Sequence, residues 1–512
     1  MSTITLFTRA LQRGLIAGLA AATVLSGCAT GPRYSPPAAP DVTSYTGPAT
    51  TGSATAGATT VRPATTAAST GEVAGNTALS SSEQVTVSDG AQSVIMGSAP
   101  RQDWWRLLNS PQLDEVVTLA LRNTVSLEAA RATLAAAEQR AKAARGARNV
   151  QVDVAGDIGR RKYGSDFLGP LASTFPTFSA YSVGPIVSYD LDIFGATRHR
   201  IDQADALTAY NREQLRAARL QVIRDTVTQA LRIASLRAQI EVVDRVLDAD
   251  GKTLELVQAA RRLGVVSDID VLTATSQRDG DRALLPPLYQ ELDTARDALA
   301  ILVGQPPAKW AAPDFALDQF NVPRELNLVV PSELVRARPD IRAAEAELRA
   351  ASAAVGVATA DMYPHITLSS GWAESGLLSG GTTSGWSLIG GITAPIFHGG
   401  ALSAQRRAAQ DAYQAVFAQY QLVVLSSFGQ VADTLHALDH DAQALQTHET
   451  ELASAQRTVE LTQQGYRVGN AGILQVVTAE REQQLAEIGL VQARTQRVAD
   501  TVGLFLASGD GA

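Results

Sequence analysis

Residues 424–466 read VLSSFGQVADTLHALDHDAQALQTHETELASAQRTVELTQQGY, and every seventh position is apolar or aromatic: Val424, Val431, Leu438, Leu445, Leu452, Val459 and Tyr466. A seven-residue period predicts an α-helix that supercoils left-handedly against a partner. The stretch lies inside a longer run that holds no proline from Phe397 to the C-terminus. Since an internal proline would cost ~3 kcal/mol, one helix from about 399 to 468 is expected. At ~1.5 Å per residue it would reach on the order of 100 Å, against ~11 residues for an ordinary globular helix.

The first half of the chain carries the same rod. No proline lies between Ala196 and Leu285, and Ile233, Ile240, Leu247 and Leu254 repeat at seven-residue spacing, predicting a helix over about 196–263. The likeness extends outward, with Leu121–Gly156 aligning without a gap on Val335–Ser370. Arg262-Leu263-Gly264 matches Arg467-Val468-Gly469, and Ile269-Asp270-Val271-Leu272-Thr273-Ala274 matches Leu474-Gln475-Val476-Val477-Thr478-Ala479. The chain is an internal duplication, each copy reading helix, strand, loop, strand, very long helix, glycine turn, helix.

Short alternating segments supply the strands, at about 150–158, 181–189, 365–372 and 386–392. Between them lie Gly/Ser/Thr-rich stretches, Gly159–Ser179 and Ala373–Gly385, read as loops facing outside the cell. Four strands cannot close a membrane barrel, which needs about eight, so several chains must share one.

The expected organisation follows: 1–27 a signal peptide, 28–100 a flexible tether, 101–305 the first repeat, 306–331 an equatorial linker and 332–506 the second repeat. Cys28 is the single cysteine among 512 residues, which rules out an intramolecular disulfide. It is preceded by Arg9, Arg13, an apolar run from Leu15 to Leu25, and Ser26-Gly27. Leu25-Ser26-Gly27-Cys28 resembles a bacterial lipobox, which makes Cys28 the lipidation site and a covalent lipid the one attached group; Ala29 then implies outer-membrane sorting. The apolar run is too short to span a bilayer. Residues 30–100, rich in Thr, Ala, Ser, Gly and Pro, bury too little apolar area to offset ordering entropy, hence the tether.

The net charge of −8 gives no reason to expect a nucleic-acid partner. No GxSxG, Walker A or dinucleotide fingerprint occurs. His436 and His440 have a metal-compatible i, i+4 spacing but no cysteine or HExxH beside them, so no metal or other cofactor is expected. The chain does not read as an enzyme.

Several strings together resemble TolC-like outer-membrane factors, in the lipoprotein branch that serves resistance-nodulation-division (RND) pumps. They are Gly31-Pro32-Arg33-Tyr34-Ser35-Pro36-Pro37, Trp104-Trp105 with Leu113-Asp114, Tyr189 through Gly195, Pro331 through Arg342, Pro395 through Gly400, and Gly465 through Gly469. The resemblance implies a mainly α fold with a small membrane β-barrel: a homotrimer whose twelve-stranded barrel, four strands per chain, is continued by a long periplasmic α-helical barrel. It implies outer-membrane localisation among lipid, a periplasmic adaptor, an inner-membrane RND pump, and passive conduction of small-molecule cargo. It places Leu474, Gln475, Thr478 and Arg481 at the closing aperture, and makes Asp270 and Tyr466 a gate lock. Arg262, Leu263, Gly264 and Val265, with Arg467, Val468 and Gly469, become adaptor-docking tips. Gly195, at a strand-to-helix junction, suits unusual dihedrals. Two alternatives keep parts of this reading: a structural coiled-coil envelope lipoprotein, and a type I secretion exit duct.

Overall fold

The computed structural model describes residues 31–32, 34–38, 44–45, 60–63, 83–86, 92–97, 103–162 and 177–509. The signal peptide and Cys28 lie outside the described residues, as does most of the expected Gly159–Ser179 loop.

In chain order the strands are β1 (Thr60–Pro63), β2 (Glu83–Thr86), β3 (Ser93–Met96), β4 (Gln151–Arg161), β5 (Phe178–Leu191), β6 (Glu325–Leu328), β7 (His365–Leu377) and β8 (Thr382–Thr393). The helices are α1 (Pro111–Asn123), α2 (Val125–Gly146), α3 (Ala196–Arg262), α4 (Asp268–Arg282), α5 (Leu285–Leu302), α6 (Pro331–Ala337), α7 (Pro339–Ala360), α8 (Ala401–Arg467) and α9 (Ile473–Ala507). Helices dominate. The rods α3 and α8 are 67 residues each, without interruption. Heptad positions Ile233, Ile240, Leu254, Val424, Val431 and Val459 are buried, which is why the period was visible in the sequence. The repeats part company after their glycine turns. Pro286-Pro287 forces a new helix start in the first copy, so α4 and α5 are separate where α9 is one helix.

The chain divides into two compact units. The first comprises residues 1–37, 133–212 and 343–421, and holds an antiparallel sheet of order β4-β5-β7-β8. Register decides its faces. Val152 pairs with Val187 and Ile158 with Tyr181; Tyr189 pairs with Leu368; Trp372 pairs with Trp386 and Ile366 with Ile392. One face is therefore apolar and aromatic across all four strands. The other carries Asp153, Asp157, Ser182, Ser188, Thr367, Ser369 and Ser387. Both faces are largely exposed, Val154 at 76% and Trp386 at 79% on the apolar one and Ile389 at 56% on the other. Among the described residues nothing pairs the outer edges of β4 and β8. The segment Ala373–Gly385, expected as a loop, is instead a hairpin: β7 and β8 pair through Gly376–Thr382, and only 378–381 turn. Its small residues were read as loop-formers, yet the alternating pairing accepts them. Gly195, at the strand-to-helix junction, has φ +84°.

The second unit comprises residues 38–132, 213–342 and 422–512. Its core gathers Trp104, Leu113, Ile223, Ile233, Leu299, Phe315, Leu326 and Phe505, with Trp104 stacked on Phe505 at 5.4 Å. A second sheet, order β1-β2-β3-β6, joins β3 parallel to β6. This corrects the reading of 28–100 as a flexible tether throughout. Val94 is buried, Gln92 Nε2 donates to Pro323 O at 2.9 Å, and the Tyr45 hydroxyl donates to Val329 O at 2.7 Å. Ladder bonds and Val94 burial together offset the ordering cost that composition alone left unmet.

Candidate functional site

The glycine-turn end of the second unit holds most residues singled out by sequence. Each long helix ends there with the same cap. In the first copy the Val265 N–H donates to Ala260 O at 3.0 Å and Gly264 N–H to Arg261 O at 3.0 Å; in the second, Asn470 N–H donates to Gly465 O at 2.8 Å and Gly469 N–H to Tyr466 O at 3.1 Å. These paired back-bonds, one spanning five residues and one spanning three in each copy, need a left-handed residue, supplied by Gly264 at φ +73° and Gly469 at φ +78°. The caps turn Leu263, Val265 and Val468 outward, at 81%, 74% and 71% exposed. Arg261 forms the ion pair at the first tip, with Asp268 at 2.6 Å, and holds that carboxyl below its ordinary range. Arg262 and Arg467 are exposed, with no hydrogen bond or ion pair among the described residues.

The helices that leave the turns start alike. Ser267 caps α4: Asp270 Oδ2 accepts from its N–H at 2.8 Å and its hydroxyl at 2.7 Å, which lowers the Asp270 pKa. At the matched place in α9, Gln475 Oε1 accepts from the Gly472 N–H at 3.1 Å. Thr273 and Thr478 each donate their hydroxyl to the carbonyl four residues back. Between α4 and α9 lies a cleft of about 630 Å³, lined by Leu272, Thr273, Ser276, Leu474, Thr478 and Arg481 among others. Leu474, Thr478 and Arg481 thus share one open wall, while Gln475 spends its amide oxygen on the helix start.

Tyr466 packs beside Val257, Ile473, Val476 and Val477. Burial raises its phenol pKa, and the Asp270 carboxylate raises it further. The two are thus close enough to feel each other. No hydrogen bond joins them among the described residues; Ser267 engages the Oδ2 oxygen of Asp270.

Sequence reasoning missed a group of buried acids one step above. Asp250 of α3, Asp281 of α4 and Glu480 of α9 are 4%, 6% and 8% exposed. Glu480 Oε1 accepts from Gln463 Nε2 of α8 at 2.9 Å and from Thr253 Oγ1 at 3.4 Å. Gln277 Nε2 donates to Asp281 Oδ2 at 2.7 Å. Burial first, then the Asp281 charge, pushes the Asp250 carboxyl up to about 7, and burial raises Glu480 too. A usable signal existed: Asp250 falls three residues after Leu247 and four before Leu254, on the inward seam. His436 and His440 are exposed, and no group of three metal-ligating side chains occurs among the described residues.

A sequence model of the family described as outer membrane efflux protein matches residues 116–305 and 330–510, one match to each copy of the duplication. The pyoverdine export outer membrane protein OpmQ of Pseudomonas aeruginosa is 29% identical over 419 residues, covering 80% of this chain and 87% of its own. The probable outer membrane lipoprotein SilC of Salmonella typhimurium is 26% identical over 437 residues, covering 84% and 92%. Among solved structures, the outer-membrane channel OprN superposes with a TM-score of 0.75 at 26% identity, covering 80% of this chain and 93% of that one.

Proposed function

The chain belongs to the outer membrane efflux protein family, and from that premise we propose that three copies form the exit duct of a tripartite RND-type pump. It is an outer-membrane efflux channel and not an enzyme. The observation that carries a barrel shared between copies is the open sheet: four strands, an apolar face, a polar face, and two free edges among the described residues; the number three is what the resemblance to TolC-like factors implies. Unpaired edge groups cannot remain in lipid, where each costs several kcal/mol. Closing β8 of one copy on β4 of the next removes every edge. Three copies give twelve strands, with the Trp386 face toward lipid and the Asp153 face toward a water-filled lumen. Lipid on Cys28 anchors each chain to the same membrane.

The paired glycine tips present Leu263, Val265 and Val468 with Arg262 and Arg467 to the helical hairpins of a periplasmic adaptor. Exposed apolar side chains supply contact area and the two guanidiniums supply donors for carboxylates. Leu474, Thr478 and Arg481 line the closing aperture; Gln475 acts there through the helix start it fixes. Tyr466 contributes packing to the closed state, with Asp270 as the cap of α4 in place of a phenol-bonded lock. Small-molecule cargo moves through it passively, driven by the inner-membrane pump, as the family resemblance implies.

The full-length protein, reconstituted in planar bilayers, should add discrete conductance steps. A photo-crosslinker at position 263 or 468 should capture an adaptor chain in cells, while one at Arg161 should not. Bilayers that stay silent, together with tips that capture nothing, would contradict the duct.

A further inference from the structure

We propose that the Asp250–Asp281 carboxyl pair, backed by Glu480, binds a proton that ties α3, α4, α8 and α9 together and makes closure of this end of the duct pH-dependent. The inference rests on the duct reading given above.

Asp250 Oδ2 and Glu480 Oε2 are buried with no hydrogen-bond donor, and Gln484 Nε2, one turn beyond Glu480, is buried with no acceptor. The group facing Asp250 across the helix interface is the Asp281 carboxyl, itself an acceptor when ionised. Two carboxylates that meet out of water are joined only through a proton, which converts a repulsion into an O–H···O bond. The proton comes from solvent, and no other co-reactant is needed. Each helix packed around the pair contributes: Asp281, Gln277 and Arg278 from α4, Thr253 from α3 itself, Gln463 from α8, Glu480 and Gln484 from α9. Arg278 is the one cation that acts on Asp250 among the described residues, and its guanidinium is engaged by Asp279 at 2.8 Å. Net negative charge therefore stays in the interface once the proton leaves.

The direction follows from linkage. Packed together, Asp250 holds its proton up to about pH 7; freed into water it would release it near the ordinary ~3.9. The closed arrangement binds more protons between those limits, so it is favoured at acid pH, weakens as pH rises through the window, and levels off above pH 7. Sharing between Asp250 and Asp281 makes this a property of the pair.

The test is conductance of the full-length wild-type protein from about pH 5.5 to about pH 8, with amide hydrogen exchange of α4 and the start of α9, corrected for the chemical rate, over the same range. Wild type should gain on the order of thirty-fold in conductance with rising pH, because about 1.5 pH units of the tested range lie below the raised value. Exchange protection should fall in step. Asp250→Asn, which keeps shape and cannot ionise, should remove both dependences. Asp441→Asn, at a second carboxyl pair, should leave them in place. A wild type that conducts at every pH with flat conductance and flat exchange overturns the latch and leaves the duct standing. So does flattening by Asp441→Asn with Asp250→Asn behaving as wild type. If no current flows at any pH, the duct reading fails, and the exchange data alone decide whether the pair binds its proton.

Discussion

Asp270 and Gln475, matched positions in the two halves of the duplication, do the same job: each accepts a hydrogen bond from the backbone N–H three residues earlier, at 2.8 Å from Ser267 and 3.1 Å from Gly472. A family resemblance gives one to a gate lock and the other to an aperture ring. The geometry gives both first to the start of a helix, where orphan N–H groups need an acceptor. Whatever the aperture does, its helices are aimed by these two side chains.

Removing the cap should therefore matter more than removing the phenol. Asp270→Ala should loosen the first turn of α4 by roughly 0.5–2 kcal/mol, as cap deletions do. Ser267→Ala should do nearly the same, and Tyr466→Phe should leave α4 unchanged. Amide exchange at Val271 and Leu272 is the readout. Equal effects from Tyr466→Phe and Asp270→Ala would restore the phenol–carboxylate lock.

Gly184 on β5 sits where β7 crosses closely: a Cβ there would lie 1.9 Å from the Trp372 carbonyl oxygen. Gly184→Val should stop the sheet forming and leave the chain protease-sensitive and uninserted. Gly159→Ala, on β4 with open space around it, should insert normally. Outer-membrane fractionation with limited proteolysis checks both.

Arg338 is 7% exposed and gathers four acceptors: both oxygens of Asp340 at 3.0 and 2.7 Å, Ala507 O at 3.0 Å and Gln430 Oε1 at 2.8 Å. It ties the end of α9 and the middle of α8 to the α6–α7 junction. Arg338→Lys loses the planar fork and strands some of these acceptors, costing about 1–3 kcal/mol. Denaturant unfolding of this unit should shift accordingly. An unchanged midpoint would mean that water replaces the fork without loss.

Asp441 lies against Asp500 in the second unit; burial first, then the Asp500 hydrogen bond and charge, raises its carboxyl to about 7. A folded-state value above the unfolded one means the folded state holds the extra proton. Stability is then greatest at acid pH, falls as pH rises from ~4 to about 7, and is flat beyond. Asp441→Asn should reduce the slope of melting temperature against pH, leaving the share that Asp250 contributes. A variant slope equal to wild type would remove the assignment.

The rods, the glycine turns and the duplication were legible because each is local: a heptad, an absence of proline and a positive-φ glycine are all written in neighbouring residues. The two faces of the β4-β5-β7-β8 sheet were partly legible through alternation. What escaped has one cause, distance along the chain. The parallel pairing of Val94 with Leu326 joins segments with no shared local pattern, so residues up to 100 read as tether. The hairpin through Gly376 and Thr382 looked like loop because its strands there are built from small and polar residues without an apolar run. Asp250, Asp281 and Glu480 meet from three helices, and no spacing rule joins them. Asp270 and Gln475 were singled out for the gate and the aperture through resemblance, while their capping bonds, the first at the Ser267-x-x-Asp270 spacing of a capping box, went unread.

The count of chains in the assembled particle tests the central claim most directly. Native mass spectrometry of the full-length protein released from lipid should give three chains. Cysteines placed at Ala155 on β4 and Gly391 on β8 should cross-link between copies into a covalent ladder that ends at three. A particle of one chain, with those cysteines joined only within it or not at all, would contradict a shared barrel.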